Sequence, residues 1–463
     1  MTPATSPQDL VEHALAASTS DGCVVIVEDS TSANLRWANN TLTTNGVMHD
    51  VSVTVVAFHG TGQGAASGSV SASASTADQV TPLVAAADAA AQASSPAEDA
   101  AELLTGEADP DWHEPSGDTS IDVYRDFAPA LGEAFGRATS EGRLLYGFVD
   151  HEVTTTYLGS STGLRLRHVQ PTGHYGCTAK PVDLSTSAWV GGATRDFTDV
   201  DVHTMDAELN RRLGRAGRRV DLEAGRYDTI LPPTAVSDLM IYAYWRSAAR
   251  DAHDGQSVFS KRGGGTRIGE RLSDKPLQVY SDPSYEKLQS RPFVAVASSD
   301  EMDSVFDNGI PLSRTDWVRD GTLSALLQTR HSAGLTGQPL TPYVDNLVVQ
   351  VDGATGSTQD LVAGVERGLL LTCLWYIREV DPQSMLLTGI TRDGVYLVEN
   401  GEVTGAVNNF RFNESPIDLM RRFSHASGTV PSFSREWGDY FPRTATPALR
   451  VPDFNMSTVS QAQ

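Results

Sequence analysis

The chain has 463 residues, 40% hydrophobic and 20% charged, enough to bury two or three ordinary cores and unlike a disordered or collagenous composition. Its 58 acidic against 35 basic side chains leave a net charge of -23, which repels a phosphate backbone and argues against nucleic acid as the main partner. No apolar run approaches the ~18 residues of a membrane-spanning helix, and MTPATSPQDLVEHAL lacks a basic stretch ahead of an apolar one, so neither a membrane span nor a secretory signal is expected.

A first helix is signalled by Ser6 as cap, Pro7 at the first helical position, and an apolar stripe of Leu10, Val11, Ala14 and Leu15. Residues 23–27 then form an apolar run, Leu35 and Trp37 alternate with polar neighbours, and Val51, Val53 and Val55 repeat with period two. Asn45-Gly46 reads as the turn before that last strand. An alanine-rich helix follows from about residue 76 to 95. Residues 94–117, acidic with Pro and Gly, read as an exposed excursion. Another amphipathic helix covers about 124–140.

From 144 to 190 short strands at close spacing, 153–158, 164–168 and 187–190, predict antiparallel sheet. An Arg-rich helix at about 202–217 carries Arg211, Arg212 and Arg215, with Arg218 and Arg219 just beyond; a solvated face pairing with nearby acids is the favoured reading. Past Pro232-Pro233, Val236, Leu239, Met240, Ala243 and Ser247 share a helical face. The remainder is β-rich, with strands at 347–351 and 368–375 and a hairpin turned on Asn400-Gly401. The fold class is therefore α+β in two domains, residues 1–225 and 226–463. Cys23, Cys177 and Cys373, odd in number and far apart, favour a reducing cytoplasm over a disulfide framework.

Chemical motifs are weak. Ser161 completes a G-x-S-x-G string, but strands flank it on both sides where a nucleophile elbow needs a strand-to-helix turn. Ser284 and Lys287 form S-x-x-K without companion motifs. His151-Glu152 has Thr155 where a second zinc-binding histidine would stand. His168, His174 and Cys177 could bring three ligands to a zinc, yet with no fourth ligand ordinary sheet residues are preferred. The glycines Gly263, Gly264 and Gly265 lack the spacing of a phosphate loop and read as a flexible turn.

Residues 34–46 (NLRWANNTLTTNG) resemble the opening signature of the TldD/PmbA family, and 320–339 (DGTLSALLQTRHSAGLTGQP), 368–382 (GLLLTCLWYIREVDP) and 396–412 (YLVENGEVTGAVNNFRF) follow that family's order and spacing. The resemblance implies cytoplasmic proteins that pair as two related subunits, one with a zinc peptidase site and one, the PmbA or TldE type, without it. In the catalytic type a mid-chain helix bears His-Glu, three residues, then His, with the glutamate as general base on a zinc-bound water and a cysteine near the C-terminus as further ligand. The matching helix here, residues 238–247 (DLMIYAYWRS), has neither histidine nor carboxylate where the motif would fall, and residues 434–451 (SREWGDYFPRTATPALRV) hold no cysteine. Arg246 would repel a divalent cation, and Cys373 reads as core.

The resemblance thus implies a non-catalytic PmbA/TldE-type subunit with no catalytic or metal residues and no cofactor of its own. Zinc is expected in a TldD-type partner, and peptides or unfolded protein segments are the substrate. Two alternatives stand beside it. One is a peptidase or amidohydrolase using His168, His174, Cys177 or Ser284; the other is a homo-oligomeric scaffold in the maturation of a peptide natural product.

Overall fold

The computed structural model describes residues 5–460, apart from the side chain of residue 216. The chain is α+β and builds three sheets. Helix α1 (Pro7–Ala17) opens as expected, with Pro7 in its first turn and the Ser6 hydroxyl accepting from the Asp9 N–H. Strands β1 (Gly22–Ala38), β2 (Thr41–His59) and β3 (Ala66–Ser73) lead to helices α2 (Ala77–Ala93) and α3 (Phe127–Ser140). Then come β4 (Arg143–Ser160), β5 (Arg165–Pro181), β6 (Ala188–Thr194) and helix α4 (Val202–Gly214). The six strands form one antiparallel sheet in the order β3-β2-β1-β4-β5-β6.

Alternation along β1 decides what each face meets. Cys23, Val25 and Val27 lie under α1 and α2, while Ala33, Leu35 and Trp37, on the same face, lie under α3 and α4. Val24 and Ile26 point the other way and pack with Phe293, Val305 and Phe306 from the second half of the chain. One face of the sheet is therefore covered by helices, and the other turns toward the C-terminal half.

Two expectations are corrected. Asn45-Gly46 is not a turn; both residues lie inside β2, paired with Leu35 and Asn34. The turn is Asn39-Asn40, with φ of 51° and 60°, the left-handed pair that a two-residue type I′ hairpin demands and that asparagine tolerates. The predicted strands 153–158 and 164–168 are pieces of the much longer β4 and β5, because polar side chains on the face away from the helices line a cleft and do not end the strand. Residues 94–117 are largely exposed, as expected, but anchored: Trp112 is buried edge-on against Tyr157 at 5.6 Å, and Leu103 and Leu104 pack beside Leu158 and Leu164.

The Asn40 side chain donates to the Thr139 hydroxyl (3.0 Å) and the Arg143 carbonyl (2.8 Å) and accepts from the Leu145 N–H (2.7 Å). Asn40→Ala is expected to cost about 2 kcal/mol, combining left-handed strain with unpaired backbone groups. Urea denaturation measures it, and Asn40→Gly should recover only the strain.

The second half carries two further sheets. One runs Arg367–Asp381, Gly225–Leu231, Leu449–Val459, Phe410–Glu414, Leu386–Glu399, Glu402–Val407 and Arg219–Val220. The hairpin between its strands Leu386–Glu399 and Glu402–Val407 turns on Asn400-Gly401 as the sequence predicts, with φ of 52° and 81°. The other sheet runs Thr322–Leu323, Thr315–Arg319, Leu277–Ser281, Leu347–Val351, Thr444–Thr446 and Val430–Ser432. Helix α5 (Pro233–Trp245) lies in the common core with Leu369, Leu371, Phe410 and Phe412 of the first of these and Leu277, Val279, Leu347 and Val349 of the second. No helix among the described residues is long and apolar enough to cross a membrane.

Candidate functional site

Pro233 occupies the first turn of α5, where its missing N–H costs nothing, and the helix then buries nearly every side chain from Ala235 to Tyr244. At its centre sits Asp238, fully buried. The sequence reading found no carboxylate at the motif position; this one lies at the start of that segment and is committed to the fold. One oxygen accepts from the Ser434 hydroxyl (2.5 Å) and the Glu436 N–H (3.1 Å), and the other accepts from the Leu374 N–H (3.1 Å). The Asp238 carbonyl also accepts from the Trp437 indole at 2.9 Å. Burial pushes the carboxyl up to about 7 against the pull of those three donors.

The rest of α5 is packed with rings: Tyr242 and Trp245 lie 5.8 and 5.4 Å from Trp437, and Tyr244 stacks on Tyr343 at 5.2 Å. Arg246 closes the end by pairing with Glu379 at 2.8 Å. The Cys373 thiol is buried and donates to the Arg392 carbonyl, and burial pushes it well above its ordinary value, so it stays neutral. These groups do not fit a zinc ion. The helix's one carboxylate, Asp238, has both oxygens taken, Glu379 is tied to Arg246, the thiol is protonated, and the helix offers no imidazole. Among the described residues no three His, Cys, Asp or Glu side chains gather as a metal site.

The weaker motifs resolve one by one. Ser161 lies in the β4–β5 hairpin turn, and its hydroxyl accepts from the Cys23 N–H at 3.0 Å. Ser284 is exposed and donates to Asp282 at 2.7 Å, an Asx-type turn contact, while Lys287 forms no ion pair among the described residues. His151 is buried between the Thr119 hydroxyl (2.7 Å) and the Arg195 carbonyl (2.8 Å). Gly263, Gly264 and Gly265 all have positive φ in a turn. His168 and His174 point to the cleft face of β5, whereas Cys177, three residues after His174, is buried on the helix face beside Trp37. Strand alternation therefore separates the thiol from both imidazoles. Arg211 and Arg212 both grip Glu208, at 2.6 to 2.7 Å, as the acid-pairing reading expects, and Arg215 lies over the Tyr396 ring at 5.4 Å.

What the structure brings together is a trough between the two halves. A cleft of about 830 Å³ opens between β5, β6 and α4 on one side and residues 286–289, 357–359 and 430–433 on the other; it reaches α5 only at Pro233 and Thr234. A second cleft of about 450 Å³ lies between the open face of β4 and β5 and residues 291–296, 343–345 and 438–443. The two meet at Gln170, Thr172, Pro442 and Arg443, where the Arg443 guanidinium donates to the Thr172 hydroxyl at 2.9 Å and pairs with Asp345. His174, at the wall of the second cleft, stacks on Phe433 and stands 3.5 Å from Asp439. Sequence reading missed this trough because its walls come from segments distant in the chain, such as β5 and residues 430–443.

Residues 224–458 match the PmbA/TldA metallopeptidase C-terminal domain, and residues 23–95 match the PmbA/TldA metallopeptidase domain 1. No curated protein sequence matches the chain. Among solved structures it is similar to TldE from Thermococcus kodakarensis, at 14% identity and a TM-score of 0.76 over 97% of this chain and 99% of that one. It is also similar to a protein from Thermotoga maritima described as a candidate modulator of a DNA gyrase (16% identity, TM-score 0.75, 97% and 99% coverage). A third protein, from Bacteroides thetaiotaomicron and described in the same way, matches at 15% identity and a TM-score of 0.73, with 98% coverage of each chain. At these identities the likeness is one of fold. With its C-terminal half and its opening strands both matched, the chain belongs to the TldD/PmbA family.

Proposed function

We propose that this chain is a TldE-type subunit without catalytic or metal residues, which pairs in the cytoplasm with a zinc-bearing TldD-type partner in a peptidase acting on peptides or unfolded protein segments. The observation that carries this reading is the state of α5. Where the catalytic type is expected to hold its His-Glu-x-x-x-His ligands, this helix presents packed rings, an arginine tied to Glu379 and a carboxylate with no free oxygen. The fold likeness to TldE and three free, buried cysteines are consistent with it. In this role the chain contributes wall and binding surface to a chamber, and an extended substrate is held through its main chain with little sequence preference.

Affinity purification of the tagged chain from its native cell, with zinc measured on each separated subunit, tests the reading. A co-eluting related chain with His-Glu-x-x-x-His is expected to hold the zinc, about one ion per copy. If this chain alone retains about one tightly bound zinc and cleaves unfolded peptide, the reading is overturned.

A further inference from the structure

The trough between the halves is electrically polar along its length. The larger cleft is lined by Arg195, Arg211, Arg212, Arg215, Lys287 and Arg443 against four acids, Asp196, Asp199, Glu208 and Glu286. Glu208 is charge-paired by two arginines, whereas Asp196 and Asp199 accept from Thr198 and Thr194 and keep their charge, so the excess is that of six cations over four carboxylates. Lys287 and Arg195, both exposed, form no ion pair among the described residues; the Arg195 guanidinium makes a 3.4 Å contact with Gln289. This end is basic, in a chain of net charge -23.

The smaller cleft has the opposite sign. Glu28, Asp150, Glu152, Asp303, Asp345 and Asp439 line it against Arg291 and Arg443. Asp345 is held by Arg443, and Glu28 lies 3.8 Å from Arg291. Asp150 and Asp303 have no arginine or lysine ion pair among the described residues, and burial raises both, to about 6 for Asp303. Asp439 and Glu152 are exposed at the rim. Unpaired carboxylates held partly out of water gain most from an incoming cation.

We infer that the joined trough takes an extended peptide in one direction, with its cationic, amino-terminal end in the acidic cleft and its acidic, carboxy-terminal end in the basic cleft. This rests on the proposed peptide-handling role and adds the orientation and charge pattern of the segment bound. Both β6 and Val430–Ser432, each the last strand of its sheet, border the basic end. An extended chain thus meets strand edges at the basic end and charges of opposite sign at the two ends.

The test uses the full chain and two fluorescent peptides of identical composition, one with lysines at the amino-terminal end and glutamates at the carboxy-terminal end, the other with these exchanged. Fluorescence anisotropy at low salt is expected to show roughly tenfold tighter binding of the first, with the difference collapsing at about 0.5 M salt. A chain carrying Arg195→Glu, Lys287→Glu, Glu152→Lys and Asp439→Lys, all at exposed positions, is expected to invert the preference. Circular dichroism first establishes that this variant is folded. Equal affinity for the two peptides, or a preference unchanged by the four substitutions, overturns the inference. The measurement needs no partner, so an orientation preference without a co-eluting zinc subunit would sink the heteromer and leave the trough, and the converse result would do the reverse.

Discussion

Asp238→Ala is expected to lower the stability of the chain by about 3–5 kcal/mol, because three buried donors lose their acceptor together, at about 1–3 kcal/mol for each group left unsatisfied. The side chain joins three segments at one point: α5, the strand Arg367–Asp381 through Leu374, and the C-terminal segment through Ser434 and Glu436. All of Asp238 and Ser434 is inside, so water cannot take over without a cavity opening. Asp238→Asn keeps the two bonds to one oxygen but turns an amide NH2 toward the Leu374 N–H, and is expected to cost about 2 kcal/mol. Urea denaturation measures both, and amide exchange at Leu374 and Glu436 should accelerate in each variant. Losses under 1 kcal/mol would show that the carboxylate is a bystander.

The same group sets a pH dependence whose sign is fixed by the direction of its shift. Its folded value is raised from 3.8 to about 7, so folding takes up a proton. Stability from this source is fully present below about pH 4 and is lost as pH rises through about 7, amounting to on the order of 4 kcal/mol. Carboxylates such as Asp88 and Asp316, whose values are lowered, contribute in the opposite sense and mask part of the slope. The difference between the native chain and Asp238→Asn isolates it: the native chain should lose stability relative to the variant between pH 4 and 8. A difference that stays flat over that range would contradict the assignment.

Particular residues show what was legible in the sequence. The cap at Ser6 and Pro7 and the Asn400-Gly401 turn are local signals, each complete within a few residues, and each stands as read; the helix read past Pro232-Pro233 is also there, but it ends at Trp245, before Ser247, and is buried nearly all round instead of on one face. The sequence favoured ordinary sheet residues at His168, His174 and Cys177 for want of a fourth ligand; what separates the thiol from the imidazoles is alternation along the single unbroken strand β5. The hairpin at Asn39-Asn40 was masked by the stronger Asn-Gly signal six residues later, and what places it is long-range: the Asn40 amide bonded to Arg143 and Leu145. Asp238 could not be recognised as a hub, because its donors lie at positions 374, 434 and 436. The polar trough is hidden for the same reason; a net charge says nothing about which ends of a fold share which sign.

The first half of the chain has its own buried ionic hub, and Asp206→Ala is expected to cost a further large amount, about 3–5 kcal/mol. Asp206, on α4, pairs with Arg143 at 2.8 Å and Arg137 at 3.0 Å. The side chains of Asp206 and Arg143 are only 5 and 6% exposed, so losing the carboxylate strands a guanidinium that cannot reach water. Glu141 would still hold the other side of Arg143, through bonds of 2.6 and 2.8 Å, which keeps the cost at the lower part of that range. Arg137 is 38% exposed and can turn outward. Removing both charges together, Arg143→Met with Asp206→Leu, leaves nothing unpaired in the core and is expected to restore most of the loss. The coupling bears on the trough, because α4 is fastened to β4 here and carries Glu208, Arg211 and Arg212 into the basic cleft. A double variant as stable as the native chain, with peptide affinity unchanged, would mean that packing alone holds α4 in place; equal destabilisation in the single and double variants would mean that the charge pair was never the source of the loss.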